Sequence, residues 1–543
     1  MSELKTSRSK IAALVALVIT AIYVAPLFVS KPLTSDTVLY DLQAKTVLDG
    51  GVAYRDILEP NLPGAIWTHM ALRSVIGPSS EAIRIVDLFV LGLNLTLLSL
   101  WMKRSGIGST ARLITATILL IFYVSMSEWC HCQRDSWMLL PALCGLHLRW
   151  RHHQLRIQAA QTAPQQIEFR GFLEGTIWAF AFWLKPFTAV AGVGCLLISA
   201  VAANNRRRLT RDLLGVLKGG VFIGTVGIAW LWFTGAWPWL VQTMTEWNPE
   251  YFATGRNRWS LKRLQFMHIR FYPWLLIHLI AVPITLAQIA NWFRKQRSDH
   301  DATRIAMLNA FYLGWFFQSI MFQHLMDYIH VPAVLLAATA IVNHRDWTIP
   351  MPVRRVAVAM FLFVAVFSSH LIQPAVATRW FSCLTAGSTV ANRSVLSDAN
   401  FPNWNEMEPV IDFLKTQDLS DGELTCYNVH TIHIYDRLGL KPSTRYVGLS
   451  SLITLFPSRQ QQLANALQTS RQKLIVTELV ESGLRVHEAT ASTDSPTAFP
   501  PAFPAMVEPT FPWTHPVIFR SGRYLVHKVL PELGNVVGRI PGR

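Results

Sequence analysis

Apolar runs of membrane-spanning length recur along the first two thirds of this chain, and no other feature narrows the possible folds as far. An α-helix rises about 1.5 Å per residue, so roughly 20 mainly apolar residues cross a hydrocarbon core. Ile11 to Ser30 is the first such run, behind Lys5, Arg8 and Lys10. Others cover 83–102, 111–127, 136–149, 171–184, 187–203, 213–234, 272–293, 305–323, 328–343 and 355–373. The expected fold class is therefore a polytopic α-helical membrane protein of about eleven transmembrane helices. The first run starts like a signal peptide, but no small-x-small cleavage site follows, which predicts an uncleaved anchor with its N-terminus in the cytoplasm.

The connections test this reading independently. Lys103, Arg104 and Arg112 occupy one connection, and Arg149, Arg151 and Arg156 the next on the same side. Arg206, Arg207, Arg208 and Arg211 follow, then Arg294, Lys295 and Arg297, and finally Arg345, Arg354 and Arg355. Every second loop is basic, as cytoplasmic loops are, so the chain from residue 374 onward is expected outside the membrane. The net charge of +16 is thereby a topology signal, and nucleic acid is not an expected partner. Only 15% of residues are charged and 51% are hydrophobic, against about 25% charged in soluble domains. The six cysteines do not form a zinc set: Cys130-His131-Cys132 has no second pair near it, and a Cys130–Cys132 disulfide is not expected.

Two domains are expected, a membrane domain over 1–373 and a small extracytoplasmic α/β domain over 374–543. The membrane domain carries a long outer loop, 31–82, with helices over Thr37 to Leu48, N-capped by Ser35 or Asp36, and over Gly64 to Ile76. In the second domain the pattern predicts helices over Trp404 to Lys415 and Ser458 to Thr469, and strands over Leu424 to Val429 and Leu474 to Leu479. A closing hairpin turns at Ser521-Gly522-Arg523. The stretch 489–509 reads as a flexible loop.

Charges at membrane depth are costly and mark function more often than structure. Here they collect at the outer ends of the spans. Asp36 follows the first span, where it also suits a helix N-cap. Arg134-Asp135 opens a later span, where an interfacial ion pair would serve equally. Lys185-Pro186 divides an apolar stretch and puts a cation at the surface, a place a snorkelling lysine would also take. Arg256, Arg258 and Arg263 make the fourth outer loop basic, with Trp247, Tyr251 and Trp259 beside them as an aromatic belt would have. Tyr328 to Pro332, including His330, forms another outer turn. Such loops offer carboxylates and cations to one vestibule. Cations neutralise a phosphate leaving group, and a carboxylate deprotonates an attacking hydroxyl.

The first outer loop reads Ser35-Asp36-Thr37, Tyr40, Leu48-Asp49-Gly50-Gly51, Tyr54-Arg55-Asp56 and Glu59-Pro60-Asn61-Leu62-Pro63-Gly64. This series resembles the GT-C fold glycosyltransferases that use polyprenyl-phosphate sugars. It is similar to the lipid A aminoarabinose transferases and protein O-mannosyltransferases, and to their dolichyl-phosphate-mannose-type bacterial relatives. Arg134-Asp135 resembles the family's second acidic motif, and Lys185-Pro186 its lysine near the donor phosphate. Tyr328 to Pro332 resembles its late Tyr-x-x-Pro-like helix start, and Ile434-Tyr435 through Arg445-Tyr446 resembles its tail domain. The acidic motif often has two adjacent acids, whereas Thr37 follows Asp36 here.

The resemblance implies an inverting transfer of a monosaccharide from a polyprenyl-phosphate donor to a lipid, glycan or protein acceptor on the outer face of a bacterial inner membrane. It implies Asp36 and Asp135 as catalytic carboxylates, which would also hold a divalent cation (Mg or Mn) if one is used. It implies Lys185, Arg256, Arg258 and Arg263 at the donor phosphate. Tyr40, Asp56, Glu59, Arg134, Tyr328 and His330 would contact substrate. A transporter or flippase of lipid-linked sugars is the alternative, although no internal repeat supports it. An envelope assembly protein using its C-terminal domain for contacts is a third.

Overall fold

A computed structural model of the chain describes residues 2–158, 164–203, 205–257, 265, 273–295, 299–323, 326–344, 356, 359–360, 362–364, 366–367, 369–397, 401–484, 511–513 and 515–530. The expected loop 489–509 lies outside the described residues, and the expected span 355–373 lies largely outside them.

The first two thirds is a helical bundle. Its long helices are α1 (Ser2–Ser30), α4 (Ser80–Arg104), α5 (Ser109–Ser125), α6 (Arg134–Gln158), α7 (Pro164–Leu184), α8 (Thr188–Val201) and α9 (Arg206–Phe233). The short helices α2 (Ser35–Leu48) and α3 (Gly64–Ile76) fill the first long loop. After α9 come α10 (Trp237–Gln242), α11 (Asn248–Asn257), α12 (Ile277–Lys295), α13 (His300–Met321) and α14 (Val331–Asn343). Among the described residues, four helical stretches are long and apolar enough to cross a membrane: Ser7–Ser30, Ser80–Arg104, Arg206–Phe233 and Trp274–Arg294. The chain bends by 115° where α5 gives way to the stretch Glu128–Leu155. Ile11, Val18 and Ile22 of α1 stay exposed, as side chains facing lipid do.

Two expectations change here. First, α6 and α7 run well beyond the apolar runs 136–149 and 171–184. The sequence pattern stops at Arg149 because an arginine reads as a loop residue. In the structure Arg149 is fully buried and ion-paired. Its guanidinium donates to Glu174 of α7 at 2.8 Å and to Asp212 of α9 at 2.5 Å. Second, α2 begins at Ser35 with Thr34 as its N-cap, the Thr34 hydroxyl accepting from the Thr37 amide at 3.2 Å. Thr34 thus takes the capping role, and the Asp36 carboxylate is left for other partners.

Glycine spacing sets the closest helix pair. Gly171 and Gly175 of α7 face Gly215 and Gly219 of α9, two small-x-x-x-small stripes that let backbones touch. A Cβ on Gly175 would overlap the Val216 carbonyl, and one on Gly219 would overlap the Phe172 carbonyl.

The last part of the chain holds α15 (Trp404–Lys415) and a four-stranded sheet of β1 (Leu424–Cys426), β2 (Leu474–Glu478), β3 (Val517–Ser521) and β4 (Tyr524–Lys528). The strand order is β1-β2-β4-β3, with β1 and β2 parallel and the other pairs antiparallel. The helix Trp404–Lys415 and the hairpin match the sequence expectations, whereas the first strand stops at Cys426 rather than Val429. Met407, Ile411 and Leu414 of α15 pack against Leu424, Leu474 and Val526 of the sheet. The same apolar cluster continues into Leu33, Val38, Leu42 and Trp137 of the bundle. The sheet-bearing part is therefore seated on the end of the bundle that carries α2.

Candidate active site

Three chain segments meet at that end of the bundle. The first turn of α2 supplies Asp36. The turn before α6 and its first residues supply Gln133, Arg134 and Asp135. The break between α7 and α8 supplies Lys185, where Pro186 cannot donate a helical hydrogen bond. The Lys185 ammonium donates to both Asp135 oxygens, at 2.7 and 2.9 Å, and both side chains are buried. Gln133 donates to Asp36 at 3.4 Å. The Arg134 guanidinium lies 5.9 Å from the centre of the Tyr40 ring, a cation–π arrangement. Among the described residues no hydrogen bond or ion pair ties that guanidinium down, and its buried Nε is unpartnered. Glu59 is buried close by, accepting from Gln43 at 3.0 Å and from the Asn61 amide at 2.9 Å.

A buried acid of α4 fixes the second segment. Asp87 accepts from the Tyr123 hydroxyl at 2.8 Å, from the Trp137 indole at 2.7 Å and from the Cys132 amide at 3.0 Å. Cys132 takes a left-handed φ of 54°, which turns the chain into α6 and delivers Arg134 and Asp135. Asp87 was legible as a charge inside an apolar run, and the sequence reading assigned it no role.

The electrostatics follow from this crowding. Burial pushes the Asp36 carboxyl above its ordinary range, Arg134 and the Gln133 hydrogen bond pull it back, and Glu59 and Asp135 push it up further. Burial also drives the Lys185 ammonium down to about 8, against the pull of Asp135. The Tyr40 phenol is held well above its usual value by burial and by the surrounding carboxylates, despite Arg134. Tyr328 and His330 sit in a 3-10 turn, Asp327–His330, just before α14. Both feel the charge of Asp135, and Tyr328 also that of Asp36.

Asp36, Tyr40, Glu59, Arg134, Asp135, Lys185, Tyr328 and His330 are thus brought together. Asp56 is not. Its carboxylate accepts from Arg55 at 2.6 Å and from the Val52 amide at 2.7 Å, which closes the Gly50-Gly51 turn. Arg256 belongs to α11, while Arg258 and Arg263 lie outside the described residues. One partner gave no sequence signal. His430, near the C-terminal end of β1, meets the Ser35 hydroxyl at 3.1 Å, and its ring packs on Trp129 and Phe401. The chain distance hides this contact.

Asp36 and Asp135 were the expected seat for any divalent cation. The donor set does not fit one. Lys185 already engages both oxygens of Asp135, and Arg134 supplies a second positive charge beside Asp36. Among the described residues, His152, Glu174 and Asp212 do converge closely enough to share an ion, but the Arg149 guanidinium occupies that centre.

No protein-family model matches the chain, and no curated protein does. Among solved structures it is similar to ArnT from Cupriavidus metallidurans bound to undecaprenyl phosphate. The identity is 13%, the match covers 95% of this chain and 97% of that one, and the TM-score is 0.56. The apo state of ArnT from Cupriavidus metallidurans matches at 14% identity, over 96% of this chain and 98% of that one, with a TM-score of 0.48. The fold is ArnT-like, as the GT-C resemblance of the stretch 35–64 led us to expect.

Proposed function

We propose that the chain is a membrane glycosyltransferase. It moves a monosaccharide from a polyprenyl-phosphate-linked donor to a lipid, glycan or protein acceptor on the outer face of a bacterial inner membrane. About eleven spans would place the N-terminus in the cytoplasm and residues 374–543 outside. The observation that carries the reading is the untied Arg134 guanidinium, set beside the Asp36 carboxylate and the Lys185–Asp135 pair. An anion of phosphate type is the partner such a guanidinium lacks. The likeness to an ArnT bound to undecaprenyl phosphate supports the donor class.

Asp36 takes the proton of the acceptor hydroxyl, and that oxygen forms a new bond to the anomeric carbon from the face opposite the phosphate. The bond between the anomeric carbon and the phosphate oxygen breaks, and its electron pair leaves with the polyprenyl phosphate. The configuration at the anomeric carbon inverts. The leaving phosphate gains a negative charge during this step, and Arg134 and Lys185 stabilise it where it develops. Asp135 keeps Lys185 charged and aimed. Tyr40 and Tyr328 wall the site, and Glu59 braces the loop between α2 and α3 through Gln43 and Asn61. Arg256, Arg258 and Arg263 would add positive charge on the donor side. No step is routed through a metal.

The test is transfer of a labelled sugar from a polyprenyl-phosphate donor mixture in membranes holding equal amounts of wild type, Asp36→Asn or Lys185→Ala. Wild type should transfer, and both variants should lose on the order of a hundredfold or more. Full activity in both variants would end the proposal.

A further inference from the structure

A groove lies at the other end of α6 and α7. The stretch of α6 from Asp135 to Arg151 is about 24 Å long at about 1.5 Å per residue, most of a hydrocarbon core of about 30 Å. There the two helices leave a groove of about 580 Å³ whose lining includes Arg151 and His152 of α6 and Gln165, Phe169, Arg170 and Leu173 of α7. One wall is apolar and open to lipid: Phe169 is 61% exposed and Leu173 42%. The other is cationic. Neither Arg151 nor Arg170 has a carboxylate partner among the described residues, because the nearby acids are already taken. Glu174 is held by Arg149 and His152, Asp212 by Arg149, and Glu168 by Lys218. Arg104 adds to the excess, lying within electrostatic reach of Arg151. The His152 ring forms a rigid floor, its Nδ1 3.0 Å from Glu174.

We propose that this groove binds an anionic glycerophospholipid of the leaflet opposite the carboxylate cluster, with its phosphate held by Arg151 and Arg170 and an acyl chain lying along Phe169 and Leu173. Basic pockets between helices at a membrane boundary suit such headgroups, and an apolar strip beside the cations favours a lipid over a free anion. The inference rests on the membrane reading and is independent of the transferase reading.

The experiment uses the purified full chain in detergent, exchanged into an equal mixture of phosphatidylglycerol and phosphatidylcholine, with retained lipid read by native mass spectrometry. Wild type should retain phosphatidylglycerol preferentially. Each guanidinium should contribute about fivefold, so Arg151→Gln/Arg170→Gln should lower the preference by about 25-fold. Arg206→Gln/Arg207→Gln, which removes two exposed arginines at the start of α9, should leave the preference unchanged. Arg151→Lys/Arg170→Lys should keep most of it, which separates loss of charge from loss of fold. Equal retention of both lipids by wild type would overturn the proposal. So would an unchanged preference in the glutamine variant, or displacement of the lipid by equimolar glycerol 3-phosphate.

Discussion

Asp36 is held under conflicting demands, and they give it a signature. Burial raises its pKa, so the folded chain binds this proton more tightly than the unfolded chain, whose carboxyl titrates near about 3.9. The sign follows. Stability from this group is full at low pH and is lost as pH rises from the ordinary value through the raised one. At neutral pH the ionised carboxylate therefore destabilises the fold while remaining the form that accepts a proton. Asp36→Asn should raise the melting temperature at neutral pH and remove transfer, and the acid limb of the wild-type rate profile should lie above the ordinary carboxylate range. A melting temperature that drops in the variant would contradict this account. Lys185 and Asp135 behave as a pair. Lys185→Ala leaves a buried carboxylate alone, which costs about 3–5 kcal/mol, whereas removing both should cost less than removing the lysine. A thermal-melt double-mutant cycle checks this. A chelator should leave transfer at the wild-type rate, since Lys185 engages the oxygens a cation would need. Asp36, Arg134 and Lys185 were legible because charges at the rims of apolar runs stand out against them. Arg149 was read as a loop residue, because a lone charge at the end of such a run looks like a loop until its partners on other helices are known, and Asp87 was assigned no role for the same lack of visible partners.

At the scale of elements, two glycine stripes decide how α7 and α9 meet. Gly171-Phe-Leu-Glu-Gly175 and Gly215-Val-Leu-Lys-Gly219 are both visible in the sequence. Spacing alone does not say that they face each other, and only the packed pair does. Lys185 follows directly on α7, so any displacement of α7 moves the ammonium off Asp135. Gly175→Val should force the two backbones apart, with overpacking that costs about 1–3 kcal/mol or more. Thermal stability and transfer should both fall, whereas Gly220→Val, where a Cβ meets nothing within 4 Å, should change neither. Comparing the two variants by detergent-melt curves and labelled transfer separates the interlock from a general loss of glycine flexibility. The other elements were read with unequal success for a physical reason. Amphipathic period and hairpin chemistry located α15 and the β3–β4 turn, while α6 continues past its apolar run because Arg149 and His152 find polar partners inside the bundle.

At the scale of the molecule, the sheet-bearing part reaches the first turn of α2 and also packs on the helices beside it. Trp247, between α10 and α11, is buried in the C-terminal core, its ring 5.6 Å from Tyr446 and 5.0 Å from Phe456. The Leu58 amide donates to the Arg445 carbonyl at 2.8 Å, which joins the loop between α2 and α3 to the same part. His430 contacts Ser35, the residue before Asp36. These contacts come from segments that are distant in the chain, which is why no local pattern announced them. Their consequence differs by position. Trp247→Ala removes a large buried ring and should cost about 3–5 kcal/mol, loosening the C-terminal part from the bundle. Limited proteolysis should then degrade the chain faster than in wild type, and transfer should fall with it. His430→Ala removes one hydrogen bond to Ser35, worth about 0.5–1.5 kcal/mol, so the fold should survive. If His430 serves to set the first turn of α2, this variant should lose transfer mainly in kcat, with KM for the donor little changed. Full transfer in a well-folded His430→Ala would mean that the C-terminal part is a docking platform alone, and that Asp36 is positioned entirely from within the bundle by Thr34, Gln133 and Arg134.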